Sequence, residues 1–386
     1  MSAGPNARLE AQLAFLVEAD RLKSVARANL LMDGSRRETT AEHSWHLALW
    51  ALIFEDLAPR GCDLDRALLM ALIHDLVEID AGDHPIHEGH DPAEVAAKEG
   101  AAARRLYGLL PEDQGTRLHA LWEEFEAGQS PEARFVRILD AAQPILQTLL
   151  QEEMSAADRD ITRANLTLGR SAALADLWPA FHAHAVGLIE GAAPRPPEPL
   201  GARLRFLAEA DRLKTVLRGT TIFDGSRREN SAEHSWHLAL YAHLLPEHAE
   251  RPADAARALR MLILHDLVEI DAGDAPIHGD HDVAALEAAE RRAADRLFGL
   301  LPGGAALRAL WDEFEAAETA DARYAKSIDR VQPVMANLEA GGGTWISFAV
   351  SREKLETRVG SKVRRGAPAL WAALLPRIDA WFGERA

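Results

Sequence analysis

The sequence predicts an all-α chain built from two tandem helical domains that pack as a pseudo-twofold pair. Three observations predict it. First, Asp33-Gly-Ser-Arg-Arg-Glu38 and Ala41-Glu-His-Ser-Trp-His-Leu-Ala-Leu49 return from Asp224 and from Ala232. A period this long marks whole duplicated domains, not a solenoid. Second, both copies carry apolar residues at helical spacing, with no convincing pair of alternating runs to make a sheet. Third, Gly191-Ala-Ala-Pro-Arg-Pro-Pro-Glu-Pro-Leu-Gly201 holds four prolines and no periodic pattern, which favours an extended spacer. The expected domains are 1–190 and 202–386, joined by a linker over 191–201. Fully extended, that linker spans at most ~35 Å, so it keeps the halves adjacent.

The elements follow in order. Leu9 to Arg21 shows helical apolar spacing. Thr39-Thr-Ala-Glu42 and Asn230-Ser-Ala-Glu233 read as capping boxes, placing His43 and His234 in the first turn of helices running to about Leu57 and Leu245. Leu68–Ile73 and Leu259–Leu264 are unbroken apolar runs that predict buried helices continuing through His74-Asp75-Leu-Val-Glu78-Ile-Asp-Ala-Gly-Asp83 and its twin His265-Asp266-Leu-Val-Glu269-Ile-Asp-Ala-Gly-Asp274. On a continuous helix His74 and Asp75 stand roughly 100° apart, and Glu78 shares the face of His74 one turn on. Gly82, Asp83 and Pro85 end the run. An Ala-rich charged helix (Pro92–Leu109), a helix through Leu118–Phe125 and one from Pro131 past Asp140 complete the first copy. Thr344–Val350 could be extended, but one strand makes no sheet. The copies stay 191 positions apart from His43/His234 to the Leu-Leu-Pro at 109–111 and 300–302. They are 189 apart at Asp140/Asp329, so the intervening loop is two residues shorter in the second copy.

Composition excludes several classes. The 386 residues carry a net charge of −17, which argues against a partner such as a nucleic-acid polymer. A small phosphorylated substrate remains open if a metal and local arginines offset that field. No apolar run approaches the ~20 residues of a membrane span, the N-terminus has no signal core, and a cytoplasmic setting without membrane partners is expected. Cys62 is the only cysteine, so any metal must sit on histidines and carboxylates.

Those residues recur as a set: His43, His74, Asp75 and Asp140, matched by His234, His265, Asp266 and Asp329. Two imidazoles and two carboxylates suit Mn, Co, Fe, Mg or Zn. A lone histidine on an apolar helix is commonly a satisfied core residue, and spacing alone leaves both readings open. His46 and His237 read as packing residues or as neighbours of the ligands. His84, His87 and His90 read as a solvated loop, with His87 and His278 as candidate substrate contacts. Arg36, Arg37, Arg227 and Arg228 fit surface charge near the caps or bidentate phosphate donors equally well. Trp122 and Trp311 read as core or domain-contact residues.

In this order, on a succession of helices, the residues resemble the HD superfamily of metal-dependent phosphohydrolases. The histidine and His-Asp segments, with Leu121-Trp-Glu-Glu-Phe-Glu126 and Ala133-Arg-Phe-Val-Arg-Ile-Leu-Asp140, look like its 5′-deoxynucleotidase branch. So do Ile328-Asp-Arg-Val-Gln-Pro333, Gly341-Gly-Gly-Thr-Trp345 and Gly366-Ala-Pro-Ala-Leu-Trp371. The resemblance implies hydrolysis of a small nucleotide, a (deoxy)nucleoside 5′-monophosphate, with one divalent ion per half on the two ligand sets. It implies Glu78 and Glu269 as the residues that orient or deprotonate water, and Asp83 and Asp274 as candidate acids at the leaving oxygen. Arg27 and Arg218, with Arg36 and Arg227, are the candidate substrate contacts. Members of this branch usually dimerise, so the tandem chain is expected to be a monomer holding an internal pseudo-dimer. There are departures. The first half has Gln151-Glu-Glu-Met154 where the second has its Gly-Gly-Gly-Thr-Trp, and Asn29 and Thr220 stand where the branch has a substrate-touching tryptophan. A triphosphate or alarmone hydrolase, or a nucleotide sensor with one degenerate half, is the alternative reading.

Overall fold

The computed structural model of the protein describes residues 5–84, 91–192 and 195–385. His87, His90 and Pro85 lie outside the described residues. Each half is helical, and the two follow the same path as far as the helices Pro131–Leu149 and Ala320–Glu339. In the first half, helix Pro5–Ala19 and a 3-10 turn lead into strand Ala26–Leu30, which pairs antiparallel with Arg37–Thr39. Helices Thr40–Ile53, Leu64–Ile73, Pro92–Tyr107, Glu112–Ala127 and Pro131–Leu149 follow. The second half repeats this with Leu200–Asp211, strands Leu217–Thr221 and Arg228–Asn230, and helices Ser231–Leu244, Ala255–Leu264, Val283–Phe298, Ala305–Ala316 and Ala320–Glu339. Helix Leu200–Asp211 begins inside the stretch assigned to the linker.

Two expectations about strands are corrected. Each half does hold a strand pair, closed by the Asp33-Gly34-Ser35 or Asp224-Gly225-Ser226 turn. Ser35 N donates to Asp33 Oδ1 at 2.9 Å, and Gly34 takes a positive φ of 70°. Strands of five and three residues are too short for a period-two signal; the Asp-Gly turn was the available cue. Thr344–Val350 is not extended. Gly343–Ser347 is a short helix, because Asn337 Oδ1 accepts from Thr344 Oγ1 at 2.9 Å and from Trp345 N at 3.3 Å and folds the segment onto the preceding helix.

Both capping boxes form as expected. The helices they start are buried along nearly their whole length, as helices apolar on all sides must be. They pack against each other across the seam between the halves. Trp45 Nε1 donates to Ile263 O at 3.1 Å, and Trp236 Nε1 returns the contact to Leu72 O at 3.0 Å. His237 Nε2 bonds Leu16 O at 2.9 Å, while His46 Nε2 bonds Leu207 O at 3.1 Å. Contacts that recur with the halves exchanged are those of a pseudo-twofold pair. They also place His46 and His237 as buried seam residues. Trp122 and Trp311 are buried within their own halves, Trp311 Nε1 donating to His265 O at 3.1 Å.

The helix expected to carry the His-Asp pair stops just before it. Leu64–Ile73 is α-helical, but Leu76 N bonds Ile73 O, Glu78 N bonds Asp75 O and Ile79 N bonds Leu76 O. In the second half His265–Val268 is a 3-10 helix outright. At three residues per turn, residues three apart eclipse. Glu78 therefore sits over Asp75, not over His74, and Glu269 over Asp266.

Candidate metal and phosphate site

The first histidine of each half comes from a buried helix and the second from the turn just past the neighbouring helix, where backbone fixes its orientation. His74 Nδ1 bonds Ala71 O at 2.9 Å, and His265 Nδ1 bonds Leu262 O at 2.9 Å. A carbonyl only accepts, so Nδ1 carries the proton and the lone pair is left on Nε2. That nitrogen is buried without a hydrogen-bond partner in both halves. His74 Nε2 lies 3.1 Å from Asp75 Oδ2, and His43 Nε2 lies 3.2 Å from Asp140 Oδ1 and 3.8 Å from Asp75 Oδ2. In the second half His265 Nε2 is 3.0 Å from Asp266 Oδ1 and His234 Nε2 is 3.3 Å from Asp329 Oδ1. The structure thus brings all eight sequence-derived ligand candidates together, four per half. Donor atoms of His43, His74 and Asp140, and of His234, His265 and Asp266, all fall within 4.8 Å of one another. Converging carboxylate oxygens around buried imidazole nitrogens fit a divalent cation.

Burial would raise the Asp75 carboxyl, but His74 and Arg27 outweigh it and hold it below the usual range. Glu78 goes the other way: burial first, then the negative Asp75, push it well above the carboxylate range. Glu269 behaves alike beside Asp266. Thr40 Oγ1 donates to Glu78 Oε2 at 2.8 Å, and Ser231 Oγ donates to Glu269. Asp83 Oδ2 accepts from Ala28 N at 3.1 Å and Asp274 Oδ2 from Gly219 N at 2.9 Å. Arg27 Nη1 bonds Asp75 at 2.9 Å and Arg218 Nη1 bonds Asp266 at 2.7 Å.

Arg36 and Arg227 are not brought to these sites. Arg36 pairs with Glu42 and donates to Lys214 O at 2.7 Å; Arg227 pairs with Glu233 and donates to Lys23 O. They brace capping boxes across the seam. Arg37 and Arg228 are exposed.

Beside the second site lies a cleft whose lining includes Arg218, Asp274, His278, Asn337, Thr344 and Phe348. Thr344 and Trp345 of Gly341-Gly-Gly-Thr-Trp345 line one side, and Gly342 of that segment must be glycine. Its φ is +124°, and a Cβ there would lie 2.4 Å from Trp381.

Sequence reasoning missed several neighbours. Glu38 and Glu229 face the first histidines, His234 Nδ1 lying 3.3 Å from Glu229 Oε2, and both end the repeated Asp-Gly-Ser-Arg-Arg-Glu. Arg170, 2.8 Å from Asp140 Oδ2, gave no signal, because it lies in the part of the first half that the repeat does not cover.

The HD domain family matches residues 19–182 and again residues 210–371. The 5′-deoxynucleotidase HDDC2 of Xenopus laevis is 34% identical over 143 residues, 37% of this chain and 70% of that protein. The human HDDC2 is 33% identical over 143 residues, covering 37% and 69%. A 5′-deoxynucleotidase of Erwinia tasmaniensis is 29% identical over 167 residues, covering 41% and 82%. A solved structure described as a predicted metal-dependent phosphohydrolase from Magnetospirillum magnetotacticum is 47% identical and covers 48% of this chain and 95% of that one, with a TM-score of 0.45. The two family matches together span most of the sequence, and the chain belongs to the HD domain family, carries the domain twice, and is a phosphohydrolase enzyme of that family.

Proposed function

We propose that each half forms a site for one divalent ion and a small nucleotide, and that the chain removes phosphate from a (deoxy)nucleoside 5′-monophosphate. The carrying observation is the pair of buried imidazoles converging on two carboxylates, with a third carboxyl one 3-10 turn away. His43, His74, Asp75 and Asp140 would hold the ion in the first half, and His234, His265, Asp266 and Asp329 in the second. When bound, the ion supplies Lewis acidity and makes a nearby water more acidic. Glu78 and Glu269 take the proton of the attacking water, a role that suits a buried carboxyl whose affinity for protons is raised. As water bonds to phosphorus the ester P–O bond breaks, and Asp83 or Asp274, held by a backbone N–H, delivers a proton to the departing oxygen. Arg27 and Arg218 offset charge on the phosphate. The cleft beside the second site is where the nucleoside would lie, against Phe348 and Thr344.

The domains are proposed as 1–190 and 202–386 around the 191–201 linker, in a cytoplasmic protein that works as a monomer with an internal pseudo-dimer. The seam contacts support that state, since a tethered twin holds the interface at high effective concentration. The described residues include no helix long and apolar enough to cross a membrane. One observation favours a second reading for the first half alone. Arg170 pairs with the candidate ligand Asp140, so that half could serve as a weaker, nucleotide-sensing site. Phosphate release from a panel of nucleoside mono- and triphosphates with Mn²⁺, Co²⁺ or Mg²⁺ tests the proposal. Release from 5′-monophosphates is expected, and release from triphosphates alone would replace it.

A further inference from the structure

Two lysines are buried in the seam. Lys23 bonds Asp20 of its own half and crosses to Glu229 Oε1 at 2.6 Å and His237 Nδ1 at 3.0 Å. Lys214, its twin, bonds Asp211 and crosses to Glu38 Oε1 at 2.7 Å and His46 Nδ1 at 3.1 Å. Neither ammonium has any exposure. The clusters Asp20, Glu229, His237 and Glu38, His46, Asp211 each gather three metal-capable side chains within 4.8 Å. The lysine occupies each cluster, so an internal cation, fixed by the chain, stands where an ion could otherwise sit.

The second oxygen of each glutamate faces a catalytic site. Glu229 Oε2 is 3.3 Å from His234 Nδ1 and 3.8 Å from Arg218 Nε. Glu38 Oε2 is 4.0 Å from His43 Nδ1 and 3.7 Å from Arg27 Nε. Gln332 Nε2 donates to Glu229 at 2.8 Å and Gln143 Nε2 to Glu38 at 3.4 Å. One glutamate therefore links a lysine of one half to a histidine and an arginine of the other. A carboxylate this deeply buried keeps its charge and direction only with a counter-charge beside it. A carboxylate behind a ligating histidine sets the ring's orientation and basicity.

We propose that Lys23 and Lys214 are positioning residues that act across the seam, Lys23 completing the second half's site through Glu229 and Lys214 completing the first half's site through Glu38. The inference rests on the metal-site reading above. It means that the glutamate behind each first histidine takes its counter-charge from the other half, which gives the duplication a chemical reason beyond packing.

The test uses the full chain with one site disabled. His43→Ala/His74→Ala leaves the second site, and His234→Ala/His265→Ala leaves the first. Cobalt(II) affinity and the visible spectrum of the bound ion are read in each. In the second-site chain, Lys23→Met should weaken cobalt binding roughly tenfold or more and shift the spectrum, while Lys214→Met leaves affinity within about twofold. The first-site chain should show the reverse, with a smaller loss, since Glu38 stands farther from its histidine. A general loss of packing would weaken both sites alike, so equal loss from either lysine, or loss from neither, overturns the proposal. Should Lys23→Met fail to fold, Lys23→Arg keeps the charge, displaces the donors, and is judged by the same crossed pattern. A parent chain that takes up no cobalt contradicts the metal reading itself and is seen before any lysine is changed.

Discussion

The two sites hold the same set of candidate ligands in different surroundings. In the second, Asp329 Oδ2 is 3.7 Å from Arg330 Nε and the site adjoins the cavity walled by Thr344, Phe348 and Asn337. In the first, Asp140 is bound by the half-exposed Arg170, which comes from a segment without a counterpart. His234 Nδ1 has Gln332 Oε1 at 3.1 Å, whereas His43 Nδ1 has no hydrogen-bond partner. The contrast shows where the chain is free to change. Ligands placed by buried helices and by the seam are constrained by packing on every side, so they persist in both copies. The segment after the last of these helices has diverged, and with it the wall beside the site.

The largest expected effect tests whether the sites are unequal in turnover. Glu269→Ala should lower phosphate release by about 10²–10⁴-fold at the second site and remove most of the chain's activity, while Glu78→Ala removes the smaller share. Metal content should stay near the parent level in both. Equal losses would make the sites equivalent, and loss of metal would make these residues ligands.

Next comes the wall. Phe348 lines the second cavity and is partly exposed. If a base lies against it, Phe348→Ala should raise KM at the second site about tenfold, within the range of a lost stacking contact, with cobalt binding unchanged. An unchanged KM would place the base elsewhere.

Arg170→Ala should sharpen the contrast from the other side. Removing a cation from a candidate ligand should strengthen first-site metal affinity by roughly two- to fivefold, the scale of a partly exposed ion pair. Weaker binding would instead make Arg170 a support for Asp140.

The smallest effect is one the halves should share. Glu99 and Glu290 are each raised to about 7, by burial first and then by Glu126 and by Glu315 respectively. A carboxyl raised on folding adds stability below its unfolded value, and that contribution is lost as pH rises through the folded one. In EDTA, Glu99→Gln/Glu290→Gln should melt with the parent near pH 4 and a few degrees above it near pH 8. The same gap at both pH values would contradict this account.

Much of the fold and the grouping of the candidate ligands was legible because both are written twice. A histidine in a capping-box helix, a His-Asp pair after an apolar run and a late aspartate recur in register, so chance spacing is a poor explanation. The strand pairs were not legible, being shorter than the period that would reveal them. The 3-10 turn after Ile73 was hidden too. Helical pitch is not a composition signal, and the change moves Glu78 from the face of His74 to that of Asp75. The seam network left a trace in the repeated Glu-Ala-Asp-Arg-Leu-Lys ending at Lys23 and Lys214. No local pattern, however, says that a buried lysine will meet a glutamate some 200 positions away.

The most direct test is a cobalt titration of the EDTA-stripped chain, followed by absorbance and by phosphate release from a deoxynucleoside 5′-monophosphate. Two distinguishable binding events, about one equivalent per half, with release returning chiefly as the second site fills, is the predicted result. Binding of no ion, or of one ion shared between the halves, would contradict it.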